Sequence, residues 1–368
     1  MSKISTKILV TICFSIIITL SVLPPSSAAG ETKTTGPAPP PQCSSGTTGE
    51  CRDKTAALKL KIIAIASILV TSMIGVCLPI FSKAVPALQP DKDLFVLVKA
   101  FASGVILATG YMHVMPDSFD CLRSECLPEN PWHKFPFTTF VAMLSAIVTL
   151  MVDSYAMSYY RKHNLGGGGG GGIKKCCSNV GNEIKLESQP QAQGNTIINS
   201  DESEKESQLL RYRVVAQVLE LGIVVHSVVI GLSMGASDNP CTIRPLVAAL
   251  CFHQLFEGMG LGGCILQAEY GSKVKATMVF FFSATTPFGI ALGIGLSNVY
   301  SDNSPTALIV VGLLNACSAG LLNYMALVDL LASDFMGTKL QNNIKLQTWA
   351  YVAVFLGAGG MSLMAKWA

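Results

Sequence analysis

The stretch HQLFEGMGLGG, residues 253–263, sets a histidine, a glutamine and a glutamate inside a run that otherwise reads as membrane-spanning. His253 and Glu257 are four residues apart, so on a helix they share a face one turn apart. An unpaired carboxylate in hydrocarbon costs about 3 kcal/mol or more. Glu257 therefore needs a partner, and the rest of the sequence has to supply it.

Half of the 368 residues are hydrophobic and 13% are charged, where a soluble domain carries about 25% charged residues. The apolar residues come in long blocks rather than amphipathic stripes, so the chain reads as an all-α polytopic membrane protein. A net charge of +3 offers no basic surface for nucleic acid. Residues 1–29 differ in kind: lysines at 3 and 7, an apolar core, a Pro-Pro break, then Ser26, Ser27, Ala28 and Ala29. That pattern is a secretory signal peptide. It leaves residues 30–60 as an extracellular segment, where Cys43 and Cys51 fit a local disulfide, as do Cys121 and Cys126 in a later loop.

A spanning helix needs about 20 mostly apolar residues. Eight blocks qualify: 61–82, 93–115, 137–159, 214–236, 245–267, 276–299, 306–332 and 347–365. With the start outside, odd connections face the cytosol; they hold Lys83, Lys92, Arg161, Lys162, Lys174, Lys175, Lys273 and Lys275 among others. Outer connections and the tail hold Arg123, Lys134, Arg244 and Lys366. This bias places both termini outside. Residues 161–213, with a run of glycines at 166–172, read as a flexible cytosolic linker. It divides the first three helices (61–160) from the last five (214–368).

Polar residues within spans are the informative ones. The fourth segment carries Glu220, His226 and Ser227, the fifth His253, Gln254 and Glu257, and the sixth Thr285 and Thr286 before Pro287. His226 and Glu257 each lie ~18 Å from the end at which their helix is counted, and Thr286 ~15 Å, at 1.5 Å per residue. Their polar groups therefore meet near mid-membrane. Two imidazoles and a carboxylate suit Zn²⁺, Fe²⁺ and Mn²⁺. Cys251 is out of phase with them, which argues against a Cu(I) site. His113 and Asp117, also four apart, close the second segment as an acidic outer entrance. Asp153 in the third marks an inner exit. Lys99 is near enough to the cytosolic end to snorkel and receives no role.

The segments VLELGIVVHSVVIGLSMGAS, CFHQLFEGMGLGGCILQAEY and TTPFGIALGIGLSNVY resemble the ZIP family, the zinc-regulated and iron-regulated transporter-like proteins, and its plant branch in particular. HVMPDSFDCL, ENPWHKFPFTTF and GLLNACSAGLLNYMALVDLLASDFMG extend the likeness. The resemblance implies eight helices arranged three, two, three, a mid-membrane metal site on helices 4 and 5, and a homodimer. It also implies that helices 1, 4, 5 and 6 move as a unit against the others. Ile230 stands where many members have a glutamate, Val229 where they have a proline, and Thr286 where some have a glutamate. One metal held by His226, His253 and Glu257, assisted by Ser227, Gln254 and Thr286, is thus the simpler reading.

The expectation is an importer of Zn²⁺ and Fe²⁺, with Mn²⁺ and Cd²⁺ as further substrates, in the plasma membrane and without a cofactor. Two other classes use similar residues: a metal-sensing receptor, and an intramembrane metal-dependent hydrolase. The latter lacks the H-E-x-x-H pattern here.

Overall fold

The computed structural model describes residues 53–81, 92–166, 194–296 and 304–365. The signal peptide, Cys43, Cys51 and residues 167–193 lie outside them. The described residues are helical and contain no strand. Seven helices are long and apolar enough to cross a membrane: α1 (Lys54–Phe81), α2 (Asp93–Leu122), α3 (Phe137–Gly166), α4 (Gly194–Ala236), α5 (Pro240–Gln267), α6 (Ser272–Leu296) and α7 (Pro305–Phe335). A further helix, α8, spans Ile344–Met364.

Local chemistry explains where these helices begin. Asn239 caps α5 by accepting a hydrogen bond from the Cys241 amide, with Pro240 in the first turn. Ser304 caps α7 from the Ala307 amide, followed by Pro305. Each side chain satisfies an amide that the helix leaves orphaned, and proline has no amide to lose there. Helix α4 begins at Gly194 rather than near Val214. The residues in between, NTIINSDESEKESQLLRYR, contain no proline and several glutamates, lysines and leucines that favour a helix. Part of the expected linker is thus helical.

Burial ranks the helices. In α5 and α4, 72% and 67% of the apolar window is buried, against 17% in α3, so α4 and α5 are central and α3 is peripheral. Serines and threonines along the spans satisfy their hydroxyls locally. Ser72, Ser103, Thr109 and Thr149 each donate to a carbonyl four residues back.

Glycines bring the helices together in close pairs. A Cβ on Gly231 would lie 2.7 Å from the Thr286 carbonyl oxygen, and one on Gly235 would lie 2.8 Å from Gly293 Cα, so α4 and α6 touch backbone to backbone. Gly258 meets the backbone of Gly75 and Val76 in the same way, joining α5 to α1. Gly104 and Gly357 bring α2 against α8, and Gly320 brings α7 against α3. Across the boundary between α1, α4, α5, α6 and α2, α3, α7, α8, glycines meet side chains instead. Gly260 faces Ile106, Gly263 faces Phe95, and Gly222 faces Leu321. Within each group polar bonds add to the packing: Ser118 donates to Thr138 and to the Gly312 carbonyl, and Ser145 to the Cys317 carbonyl. Lys54 and Lys61 each reach Asp238 at 3.9 Å, tying the start of α1 to the α4–α5 turn.

Cys121 and Cys126 are free thiols, contrary to the disulfide expected of them. Cys121 packs its Cβ against Gly312 of α7, which turns it into the helix interface. Cys241 is disulfide-bonded, to a cysteine outside the described residues.

Close packing makes a specific demand. Gly235→Leu should lower the melting temperature and the yield of folded, detergent-solubilised protein, since overpacking costs about 1–3 kcal/mol. Gly295→Leu, at a position with open space beside it, should leave both unchanged.

Candidate metal centre

Helices α4 and α5 bring the expected core of the site together. Ligand atoms of His226, His253 and Glu257 all lie within 4.8 Å of one another, and all three residues are buried. The two imidazole centroids are 5.6 Å apart. For comparison, ligands around a tetrahedral zinc with ~2.1 Å bonds stand roughly 3.4 Å apart, a difference that side-chain torsions can close.

The electrostatics single out this cluster. Glu257 has 0% exposure, and neither carboxylate oxygen has a hydrogen-bond partner. Its nearest basic atom, His253 Nε2, is 3.8 Å away, beyond hydrogen-bond reach. All four ring nitrogens of His226 and His253 are likewise unpartnered. Each such group costs about 1–3 kcal/mol, and a charged one more. A divalent cation satisfies the whole set at once: it offsets the carboxylate charge and takes lone pairs from neutral imidazoles. These donors fit a borderline metal.

Ser227, Gln254 and Thr286 are buried nearby, and Ser227 Oγ, Gln254 Nε2 and Thr286 Oγ1 have no partner. The adjacent Thr285 hydroxyl is used up on the Phe281 carbonyl, so the two neighbouring threonines differ in availability. Helix α6 runs unbroken through Pro287, which has no amide to offer the Ser283 carbonyl.

His113 is placed otherwise than its assignment to an outer entrance suggests. Its ring is buried, 6.1 Å from that of His253 and 6.4 Å from that of His226, so it borders the cluster of His226, His253 and Glu257. It sits in a π-helical turn, Gly110–Val114, whose wider winding changes the phase of the helix. Asp117 lies one turn beyond, half-buried, and Asp120 is exposed. Asp153 is outside the cluster. Its Oδ2 accepts from the Tyr324 hydroxyl at 3.4 Å, and its Oδ1 is unpartnered.

Two further residues gain importance from the structure. Asp329 is 3% exposed with Oδ1 unpartnered, and it senses the charges of Asp153 and Arg211. It lies in a second π-helical stretch, Met325–Ala332. An acid within MALVDLLA is itself a signal, but the winding that presents it beside Asp153 is not. Lys99 does not snorkel. It is 5% exposed, and its Nζ donates to Asp334 Oδ1 at 2.8 Å and to Gln267 Oε1 at 3.1 Å.

With this geometry in hand, comparison with known proteins is informative. The family model described as "ZIP Zinc transporter" matches residues 58–365. Fe(2+) transport protein 2 of Oryza sativa subsp. japonica is 59% identical over 340 residues, covering 90% of this chain and 92% of that protein. Probable zinc transporter 8 of Arabidopsis thaliana is 60% identical over 329 residues, 89% of this chain and 92% of the relative. Fe(2+) transport protein 1 of Arabidopsis thaliana is 59% identical over 329 residues, 89% and 91% of the two chains. A match that runs through every apolar helix and contains the buried histidine–glutamate cluster leaves one conclusion: this chain belongs to the ZIP family.

Proposed function

We propose that this protein imports divalent metal, Zn²⁺ and Fe²⁺ foremost, into the cytosol through the centre built by His226, His253 and Glu257. The observation that carries the reading is a buried carboxylate and two buried imidazoles, all unpartnered and within one ion's reach. Membership of a transporter family makes it a carrier rather than an enzyme, with the metal as substrate and no cofactor. Relatives named for zinc and for Fe(2+) accord with a ligand set that suits both ions, and Mn²⁺ and Cd²⁺ fit it as well.

The site takes one metal. Ile230, where a second carboxylate would stand, is packed with Ala64, Ile68, Met234, Leu250 and Ile290 in an apolar cluster. Ser227, Gln254 and Thr286 assist with neutral atoms. His113 hands the ion inward from Asp117, and Asp153 with Asp329 receives it at the cytosolic side.

Alternating access needs two bodies that slide. The pairs α4–α6 and α1–α5 would form one body and α2–α8 and α3–α7 the other; glycine backbone contact within each pair, against side-chain contact at Gly260, Gly263 and Gly222 between the bodies, supports this division. Helix α8, with 21 residues, is ~32 Å long, enough to serve as an eighth span. The basic bias of the odd connections places both termini outside. The Cys241 disulfide supports an extracytosolic α4–α5 turn, because disulfides persist in oxidising compartments. A homodimer in the plasma membrane completes the reading.

Uptake of radiolabelled Zn²⁺ and Fe²⁺ into metal-starved yeast tests it. Expression should raise uptake severalfold, and the His226→Ala, Glu257→Ala double variant should fall to background. Normal uptake by that variant would overturn the site, and metal-dependent signalling or proteolysis without uptake would favour the receptor or the hydrolase. Asp329→Asn should reduce maximal uptake roughly five- to tenfold with KM within about twofold, because an exit group acts after capture. A change confined to KM would place Asp329 on the binding side instead.

A further inference from the structure

Lys99 is a buried cation that metal capture does not use. Counting back from His113 along α2, it lies ~21 Å toward the cytosolic end, and Gln267 lies ~15 Å beyond Glu257 along α5 in the same direction. Both stand between the metal centre and the cytosol. The Lys99 ammonium holds Asp334, at the end of α7, at 2.8 Å and Gln267, at the end of α5, at 3.1 Å. Asp334 belongs to the same helix group as Lys99, whereas Gln267 belongs to the other. Among side-chain hydrogen bonds joining described residues of α1–α8, Lys99 to Gln267 is the one that crosses between the two groups; Ser118, Ser145 and Tyr324 bond within α2, α3 and α7.

We infer that Lys99, anchored by Asp334, is a cytosolic latch whose bond to Gln267 holds the two helix groups together below the metal centre and must break for the ion to leave. The inference rests on the import reading. Its chemistry is that of a tethered cation: an ammonium with three donors neutralises Asp334 while its remaining hydrogens reach across the boundary. Glycines on that boundary meet apolar side chains, as at Ile106, Phe95 and Leu321, and such contacts carry no directional bond to fix a register. A single charge-assisted hydrogen bond at the inner edge supplies one. Asp334 keeps the ammonium in place when Gln267 moves away, so the latch re-forms without Lys99 being left unpaired in the membrane.

Cys264 provides a reporter. It is a free thiol, 2% exposed, three residues before Gln267 on α5 and within electrostatic reach of Lys99. In inside-out vesicles holding the full chain, a membrane-impermeant maleimide should label Cys264 slowly, read by peptide mass spectrometry. Gln267→Leu, which removes the crossing bond and leaves the Lys99–Asp334 pair, should speed labelling roughly tenfold. Asp334→Lys should speed it further, and the Lys99→Asp, Asp334→Lys exchange should return it toward the parent rate. Cys251, on the outer half of α5, should keep its rate throughout. An unchanged rate in Gln267→Leu, an exchange no slower than Asp334→Lys alone, or an equal rise at Cys251 would each overturn the latch. Labelling needs no metal flux, so the inference fails or survives separately from the import reading.

Discussion

A polar group inside a bilayer must find a partner within the protein, because lipid supplies none. That constraint is met almost everywhere in this chain. Buried hydroxyls bond back along their own helices, Lys99 is held by two oxygens, and one Asp153 oxygen has a tyrosine. Against that background the unpartnered atoms of His226, His253 and Glu257 are conspicuous, and they occupy the two most buried helices. Among the described residues, unpartnered buried atoms also occur singly at Ser283, Ser318 and Asn323, but His226, His253 and Glu257 gather six of them within one ion's reach.

The same helices have to pack without a hydrophobic driving force, since lipid tails are as apolar as leucine. Glycine solves this by letting backbones touch, and its distribution carries mechanical information. Backbone contact resists sliding, as every carbonyl and Cα interlocks at short range. An interface made by Ile106, Phe95 and Leu321 side chains can re-pack by rotamer changes. Both sorts of interface are present here: backbone contact within the pairs α4–α6, α1–α5, α2–α8 and α3–α7, and side-chain contact at Gly260, Gly263 and Gly222.

Much of this was legible in the residues. Long apolar blocks located α5, α6 and α7 to within a few positions and the starts of α2 and α3, and depth counting puts His226 and Glu257, which cluster with His253, at one level. Helix α4 began far earlier than expected, because polarity ends a hydropathy block but does not end a helix. The π-helical turns at Gly110–Val114 and Met325–Ala332 were invisible, since no residue type demands them, and they decide where His113 and Asp329 face. Lys99 was misjudged for a related reason. Distance from a helix end suggests snorkelling, but whether the ammonium reaches water or Asp334 depends on the end of α7, far away in sequence. Cys121 and Cys126 met every spacing rule for a disulfide, yet helix packing against Gly312 fixed Cys121 elsewhere.

Charge along the route gives the arrangement a direction. At the centre a divalent cation meets a single carboxylate, Glu257, and neutral donors, so the complex retains net positive charge in a low-dielectric setting where such charge is costly. Ile230, buried among aliphatic neighbours, withholds the second negative charge that would have deepened the well. Asp153 and Asp329 lie within each other's field, with one unpartnered oxygen apiece. On the proposed exit path an ion would meet two carboxylates offset by the Arg211 guanidinium. A second carboxylate at the centre would hold a divalent ion more tightly, so on the import reading its absence favours release.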